Sequence, residues 1–304
     1  MMKSGLKRKL TCIALASAFG LAASMPSFAQ QDRSATTDAK APPMASKASA
    51  EVKQSGHDVR ASKIIGKNVE NAQGENLGEI KDLIVDLGNQ RVHYAVLASG
   101  GFLGLGDKLF AYPISSFKAQ ADSDKLVLNI DKDRLKNAPG FDKDKWPDWN
   151  DTRYRGEVDR YFKTDTAKAL PRSARMARAT ELIGKNVNDR NGKNAGEIDD
   201  VVVSMNSGRV PYAVLDFDKA WSPDDKLVPM PLTAFTFPTD KKKDIVLNLA
   251  RNQIDMKKGF DDDHWPDINS AEFRREVRTN IAGMERSTHR AARAVDDATT
   301  SSGR

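Results

Sequence analysis

The acidic residues of this chain form the clusters that most resemble a metal-binding site. They form two clusters: Asp142, Asp144 and Asp148, and then Asp261, Asp262, Asp263 and Asp267. Ca²⁺ is bound by several carboxylate oxygens. Neither cluster has EF-hand spacing, and lysines interrupt the first one. We therefore predict no metal site, and the weak candidates are Asp142, Asp144, Asp261 and Asp263.

Histidine and cysteine offer no recognisable catalytic arrangement. The four histidines are scattered, with no pair at ligand spacing: His57, His93, His264 and His289. A serine nucleophile would be indicated by a G-x-S-x-G elbow, which the sequence lacks. Cys12 is the only cysteine, and it lies in an apolar stretch near the N-terminus. The residues thus predict that the chain is not an enzyme and has no cofactor.

A glycine-rich run, GGFLGLG over residues 100–106, could be taken for a phosphate-binding loop. Such a loop follows a strand and opens a helix, whose N–H groups bind the anion. Here a further strand is predicted to follow, so the run is interpreted as a hairpin loop. Phe102 and Leu103 at its tip are apolar, and we expect them to contact a partner or to fold back onto the domain.

The N-terminus has the layout of a secretory signal peptide. Four basic residues, Lys3, Lys7, Arg8 and Lys9, precede an uncharged apolar stretch over residues 10–23. Small residues at Ser27 and Ala29 fit a cleavage site. The apolar run is shorter than the roughly 20 residues that a membrane span needs. We predict cleavage near Ala29 and a periplasmic or secreted mature protein without a thiol.

Charge is unevenly distributed along the chain. The net charge is +6, and the four basic residues of the signal leave the mature chain near +2. Residues 61–151 hold 12 Lys/Arg and 14 Asp/Glu, residues 179–270 hold 12 and 16, and residues 152–178 hold 8 and 3. A nucleic-acid-binding protein usually carries a basic folded domain. These folded segments are mildly acidic, so we predict no nucleic-acid partner.

The chain repeats itself. The sequence IGKNV at residues 65–69 returns at 183–187, and YAVL at 94–97 returns at 212–215, both 118 positions later. The sequence WPD at 146–148 returns at 265–267, with an offset of 119 that one inserted loop residue explains. A repeat of this kind indicates two copies of one module.

Each module is predicted to consist of short strands. In the first, apolar runs at 83–87 and 92–97 flank Gly88-Asn89-Gln90, which is a hairpin pattern. Several such strands in a short module indicate a small antiparallel barrel. The predicted fold class is mainly β: two tandem small antiparallel β-barrels at 61–151 and 179–270, each followed by a short amphipathic helix. Residues 30–60 and 286–304 have few large apolar side chains and are predicted to be disordered.

The segments after the barrels change to helical periodicity. Residues 152–178 are predicted as a helical basic connector and residues 271–285 as a helix, with Asp148 and Asp267 as N-caps. The apolar stripe of the first helix comprises Trp149, Tyr154, Val158 and Phe162. We expect this stripe to pack on the barrel, with docking on a partner as the alternative.

Several of these motifs together resemble the PRC-barrel domain, which is shared by the photosynthetic reaction centre H subunit and the ribosome maturation factor RimM. They are LIGKNV at 182–187, the Gly-x-x-x-Gly-Glu-Ile step at 74–80 and 192–198, and the run 100–108 followed by Pro113. The sequences LKNAPGF at 135–141 and KWPD at 145–148 resemble the extension of exported bacterial members. The second copy departs from the pattern at 217–225, FDKAWSPDD. The resemblance implies a barrel used for assembly and protein contact.

Three hypotheses of function follow. The first is an exported scaffold or adaptor that binds a protein partner through Phe102, Leu103 and the stripe Trp149, Tyr154, Val158 and Phe162. The second is binding of an anionic lipid or polymer of the envelope through Arg172, Arg175, Arg178 and the C-terminal arginines, or of a small ligand as a sensor. The third, an enzyme, lacks a catalytic constellation.

Overall fold

The computed structural model describes residues 57–99, 108–119, 125–164, 174–222, 224 and 226–301, which belong to one compact unit. The predicted signal peptide at 1–29, the loop that contains Phe102 and Leu103, and Arg172 lie outside these residues. So does the predicted leader up to residue 56.

The first module is a curled sheet with a helix behind it. Its sheet has the order β6-β7-β2-β3-β4-β5-β8. The elements are α1 (Ala61–Ile64), β2 (Asn68–Glu70), β3 (Asn76–Asp86), β4 (Arg91–Ala98), β5 (Lys108–Pro113), β6 (Phe117–Ala119), β7 (Leu126–Leu128), α2 (Lys132–Lys136), β8 (Gly140–Asp142) and α3 (Thr152–Phe162).

The second module repeats this arrangement. Its sheet has the order β13-β12-β11-β10-β15-β14. The elements are α4 (Ala179–Leu182), β10 (Asn186–Asn188), β11 (Asn194–Ser204), β12 (Tyr212–Phe217), β13 (Leu227–Met230), β14 (Phe235–Thr236), β15 (Ile245–Leu247) and α5 (Ala271–Ser301). The predicted fold class is confirmed: the chain is mainly β, with two tandem curled sheets, each followed by a helix.

The strands are not all antiparallel, because β2 pairs with β7, and β10 with β15, in parallel. The chain reverses at each hairpin from β2 to β5. It then passes from β5 to β6 through a 3₁₀ turn, Ile114–Ser116, and reverses once more before β7. Strand β7 therefore runs in the direction of β2 and pairs beside it, which curls the sheet.

One glycine in each module permits close approach of two strands. Gly78 has φ +133°, and a Cβ there would lie 1.9 Å from the carbonyl oxygen of Ala98 on β4. Gly196 has φ +144°, with the same distance to the carbonyl oxygen of Asp216. Only glycine is compatible with both the backbone conformation and this contact.

Side chains from both modules form one contiguous core. Leu83 and Val85 of β3 belong to the same buried cluster as Val201 and Val203 of β11. On the opposite face of β3, Ile84 packs with Trp149 and Val158 beneath α3. A matching cluster lies beneath α5 in the second module. The two modules therefore share apolar burial, and a helix covers the outer face of each sheet.

Each module also receives a strand from the other. Strand β1 (Asp58–Arg60) precedes the first module in sequence but pairs antiparallel with β11 of the second. Strand β9 (Met176–Arg178) precedes the second module but pairs antiparallel with β3 of the first. Residues 58–60 thus form a strand instead of the end of a disordered leader, and residues 176–178 a strand instead of part of a helical connector. Both strands are too short to be predicted from the local sequence, and their partners are distant in sequence.

The helices also differ in their bounds from the prediction. The N-cap of α3 is Asp151, whose carboxylate accepts from the N–H of Arg153. For α5 the Ser270 Oγ accepts from the N–H of Phe273. Both caps lie three residues beyond the expected Asp148 and Asp267. Helix α5 continues past the predicted end at 285, so residues 286–301 are helical and not disordered as predicted. They contain Ala and Arg, which favour helix.

A carboxylate from each module holds the exchanged segment in place. Asp82 Oδ2 accepts from the Oγ1 of Thr180 at 2.5 Å, and its Oδ1 accepts from the N–H of Thr180 at 3.2 Å. Asp200 accepts from the Oγ and N–H of Ser62 at the same distances. Each aspartate thereby caps the short helix of the other module. Burial raises the pKa of Asp82, and the bonds from Thr180 partly offset this rise.

Replacing the hydroxyl in this contact should destabilise the whole chain. Thr180→Val keeps the side-chain shape but removes the Oγ1–H donor to Asp82. We expect a loss of about 1.5–3 kcal/mol in the free energy of unfolding, measured by urea denaturation, because the acceptor is a buried carboxylate. Thr152→Val, at an exposed position of α3, is the control and should change stability by less than about 0.5 kcal/mol. Equal effects of the two variants would contradict the capping role.

Candidate functional site

Charged and aromatic side chains cluster at the two junctions where the strands are exchanged. At the first junction, the Arg178 guanidinium lies 4.6 Å from the centre of the Trp146 ring. At the second, the Arg60 guanidinium lies 4.2 Å from the centre of the Trp265 ring. Both distances are typical of cation–π contacts. In each case the arginine comes from the exchanged strand and the tryptophan from the WPD sequence of the module that receives it.

The first junction also contains an ion-pair network. Arg178 Nε lies 3.0 Å from Glu181 Oε1 and 4.0 Å from Asp82 Oδ2. Lys241 Nζ donates to Glu181 at 2.8 Å. Burial would raise the pKa of Glu181, but the hydrogen bond from Lys241 and the charge of Arg178 outweigh it and lower that pKa. These groups bind one another, and their arrangement is that of a structural contact.

The second junction carries an unusual carboxyl group. Asp199 on β11 is half-buried, and its burial, followed by the charges of Asp200 and Asp262, raises its pKa to about 6. Arg60 opposes this rise. The first module has Lys81 at the equivalent position, so the feature is not part of the repeat. A carboxyl group with such a pKa can exchange a proton near neutral pH.

The predicted metal candidates are placed apart or have other partners. Lys226 Nζ donates to Asp261 Oδ1 at 2.5 Å and lowers the pKa of that exposed carboxyl. Asp263 Oδ1 lies 2.8 Å from His264 Nδ1. Asp142 ends β8, and Asp144 is exposed in the turn that follows. Across the described residues, no three His, Cys, Asp or Glu side chains are arranged to hold a metal ion.

The predicted partner-binding stripe is largely covered by its own module. Trp149 is 5 % exposed and Val158 0 %, so in the structure these two side chains do not form a docking surface. They pack against the sheet, as the sequence analysis expects of this stripe. Tyr154 and Phe162 are half-buried at the edge of this contact. Phe102 and Leu103 lie outside the described residues, so their role stays a prediction.

His93 and Asp86 form a contact that holds the β3–β4 turn. Their side chains approach to 3.6 Å between Nε2 and Oδ2. Asp86 also accepts from the N–H groups of Gly88 and Asn89. Burial would raise the pKa of Asp86, but these partners lower it instead. The aspartate therefore has a structural function in the turn.

Sequence reasoning missed both junctions, although the repeat contains a signal for them. An arginine stands at 60 and 178, a hydroxyl residue at 62 and 180, and an aspartate at 82 and 200. Each pair is separated by 118 positions. Polar residues that recur at equivalent positions of both copies indicate a shared contact, and the structure buries the two aspartates among them. Within the described residues, no helix has the length and apolar character needed to cross a membrane.

Asp199 should make stability depend on pH. Its pKa in the folded chain, about 6, exceeds the usual 3.8, so the folded state binds the proton more tightly than the unfolded state. Stability is therefore lost as pH rises from about 4 through 6. Asp199→Asn should raise Tm at pH 7.5 by about 2 °C after allowance for solvent screening, and by less at pH 4.5, in thermal melts. The control Glu197→Gln, an exposed position of the same strand, should show no such difference. An equal change at both pH values would contradict the assignment.

Comparison with known families agrees with this architecture. The model of the PRC-barrel domain matches residues 56–135 and 175–251, and each match begins just before an exchanged strand. A search of curated proteins gives no match. The two matched segments together cover more than half of the chain, and they confirm the resemblance seen in its motifs. The chain belongs to the PRC-barrel domain family, of which it contains two copies.

Proposed function

We propose that this chain is an exported, non-catalytic scaffold or adaptor that binds a protein partner through its paired barrels. The observation that carries the proposal is the reciprocal exchange of β1 and β9. Exchange fixes the two modules relative to each other, and preorganised surfaces lose less conformational entropy on binding. A rigid pair of modules suits the role of holding a partner in a defined position.

The placement of the buried acids supports a non-catalytic role. Asp82 and Asp200 each cap a helix of the other module, and Asp86 holds a turn. A general base must be able to reach a substrate proton. These carboxylates are 1 % exposed or less and already accept hydrogen bonds from their own chain. In the proposed function, these aspartates hold the two modules and the turn in place.

The partner surface is proposed at the Phe102–Leu103 loop, together with the exposed parts of Tyr154 and Phe162. Burial of Trp149 and Val158 moves the candidate surface to this edge. Aromatic side chains at such an edge are frequent anchors of protein interfaces. Export is supported by the signal sequence at 1–29, with a mature chain beginning near Gln30 in the periplasm or outside the cell.

The alternative, an anionic lipid or polymer bound by Arg172, Arg175 and Arg178, has weaker support. Arg178 already stacks on Trp146 and pairs with Glu181. Arg175 donates to the carbonyl oxygen of Phe237. Removing these guanidinium groups from their contacts would offset part of the energy gained from a polymer surface.

Site-specific photo-crosslinking in intact cells tests the proposal. A photoreactive residue at Leu103 should give discrete adducts with another protein, whereas one at Arg160, an exposed position of α3, should not. Phe102→Ala should reduce the adducts by about tenfold, since truncation of an aromatic anchor costs more than about 1.4 kcal/mol.

The same adducts report on export, because their N-terminal peptide should begin near Gln30. Equal labelling from positions 103 and 160, or adducts insensitive to Phe102→Ala, would contradict the proposed surface. Adducts that retain residues 1–29 would contradict export.

A further inference from the structure

A cleft of about 410 Å³ opens where the exchanged strand β9 enters the first module. Leu87 and Asn150 of the first module line one side, and the turn between β14 and β15 lines the other. Its volume lies in the range of small-molecule sites. It is formed only because the modules are joined, and neither Tyr154 nor Phe162 is among the described residues that line it.

The floor of this cleft is apolar. It includes Met176 from the exchanged strand, Leu182 from α4 and Ile245 from β15, all of which are buried. Phe237 and Leu87 are half-buried at its edges. A hydrocarbon chain or an aromatic ring placed on this floor would remove apolar surface of both molecules from water.

The rim of the cleft is cationic. Among the described residues, its lining has four basic side chains, Arg175, Lys185, Lys241 and Lys243, and one acid, Glu181. Lys185 Nζ donates to the carbonyl oxygen of Lys241 at 3.0 Å, and Lys241 Nζ donates to Glu181. An ammonium group has three donors, so these lysines retain donors for a further acceptor. The rim therefore favours one anionic group beside the apolar floor.

The repeat shows that this charge is not required by the fold. Lys241, Lys242 and Lys243 precede β15, and the equivalent positions before β7 are Asp122, Ser123 and Asp124. Arg175 corresponds to His57, and Glu181 to Lys63. A feature needed for folding would be kept in both copies, as the arginine, hydroxyl and aspartate positions of the junctions are. Lys185 recurs as Lys67, whereas Lys241 and Lys243 are specific to the second module, which points to a role of these two lysines beyond structure.

We propose that this cleft binds an amphipathic anion, with the apolar body on the floor and a single carboxylate or phosphate head at the Lys241–Lys243 rim. Such a ligand matches the apolar floor and the adjacent basic rim in both chemistry and position. The head could belong to a free acid or to a membrane lipid. Neither source requires the protein partner proposed above.

Calorimetric titration of the purified protein with decanoate tests this site. Decanoate should bind once per chain, whereas butyrate, which lacks the tail, and decanol, which lacks the charge, should bind at least about tenfold more weakly. Lys241→Asp/Lys243→Asp, which introduces the charges of the first module, should weaken decanoate binding by about tenfold or more. Lys193→Asp/Lys219→Asp makes the same change at exposed positions outside the cleft and should have no effect.

Vesicles of phosphatidylglycerol, compared with phosphatidylcholine, distinguish the two sources of the head group. Binding of decanoate with or without binding of anionic vesicles supports the cleft. Binding of vesicles without decanoate would overturn the cleft and assign the basic rim to a membrane surface. Equal affinity for decanol, or equal effects of the two double variants, would also overturn it. The titrations involve no partner, so their failure leaves the scaffold proposal untouched.

Discussion

Strand β1 completes the sheet of the second module, and strand β9 completes that of the first. Around each exchanged strand, an arginine stacks on a tryptophan and a hydroxyl residue donates to a buried aspartate of the other module. Leaving such an aspartate without its donors would cost the desolvation of a buried polar group. The contiguous core between the modules depends on these contacts, because they align β3 and β11 with the segments that cross over.

The two copies keep what the junction needs and differ elsewhere. The arginine, hydroxyl and aspartate positions are the same in both copies. Asp199, in contrast, stands where the first module has Lys81, and Lys241 and Lys243 before β15 stand where it has Asp122 and Asp124. The junction is thus a structural constraint on both halves, and the surfaces around it are free to acquire separate properties. The scaffold proposal rests on the first of these observations, and the proposed cleft on the second.

Much of the architecture could be predicted from local patterns. The hairpin around Gly88-Asn89-Gln90 and the helix after each barrel follow from residue types within a few positions. The exchanged strands could not be predicted in this way. Each has three residues, and its partner lies well over 80 residues away in the other copy. Asp82 illustrates the same limit, because nothing near it in the sequence identifies Thr180 as its donor.

The candidate site was harder to predict than the fold. The acidic clusters resemble metal ligands in the sequence because their carboxylates lie close together along the chain. In the structure, Asp261 and Asp263 are paired with Lys226 and His264. The stripe of α3 was consistent with both packing and docking, since an apolar face alone does not identify what covers it. The cleft joins residues from 87 to 245, so its lining emerges only when the modules are placed together.

Differential scanning calorimetry of the intact chain tests the central claim most directly. If exchange of β1 and β9 makes the two modules one cooperative unit, they must unfold in a single transition whose calorimetric and van't Hoff enthalpies agree. Thr180→Val should then lower the temperature of that one transition. Two separate transitions, with only one of them shifted by Thr180→Val, would show that the modules unfold independently and would contradict the account.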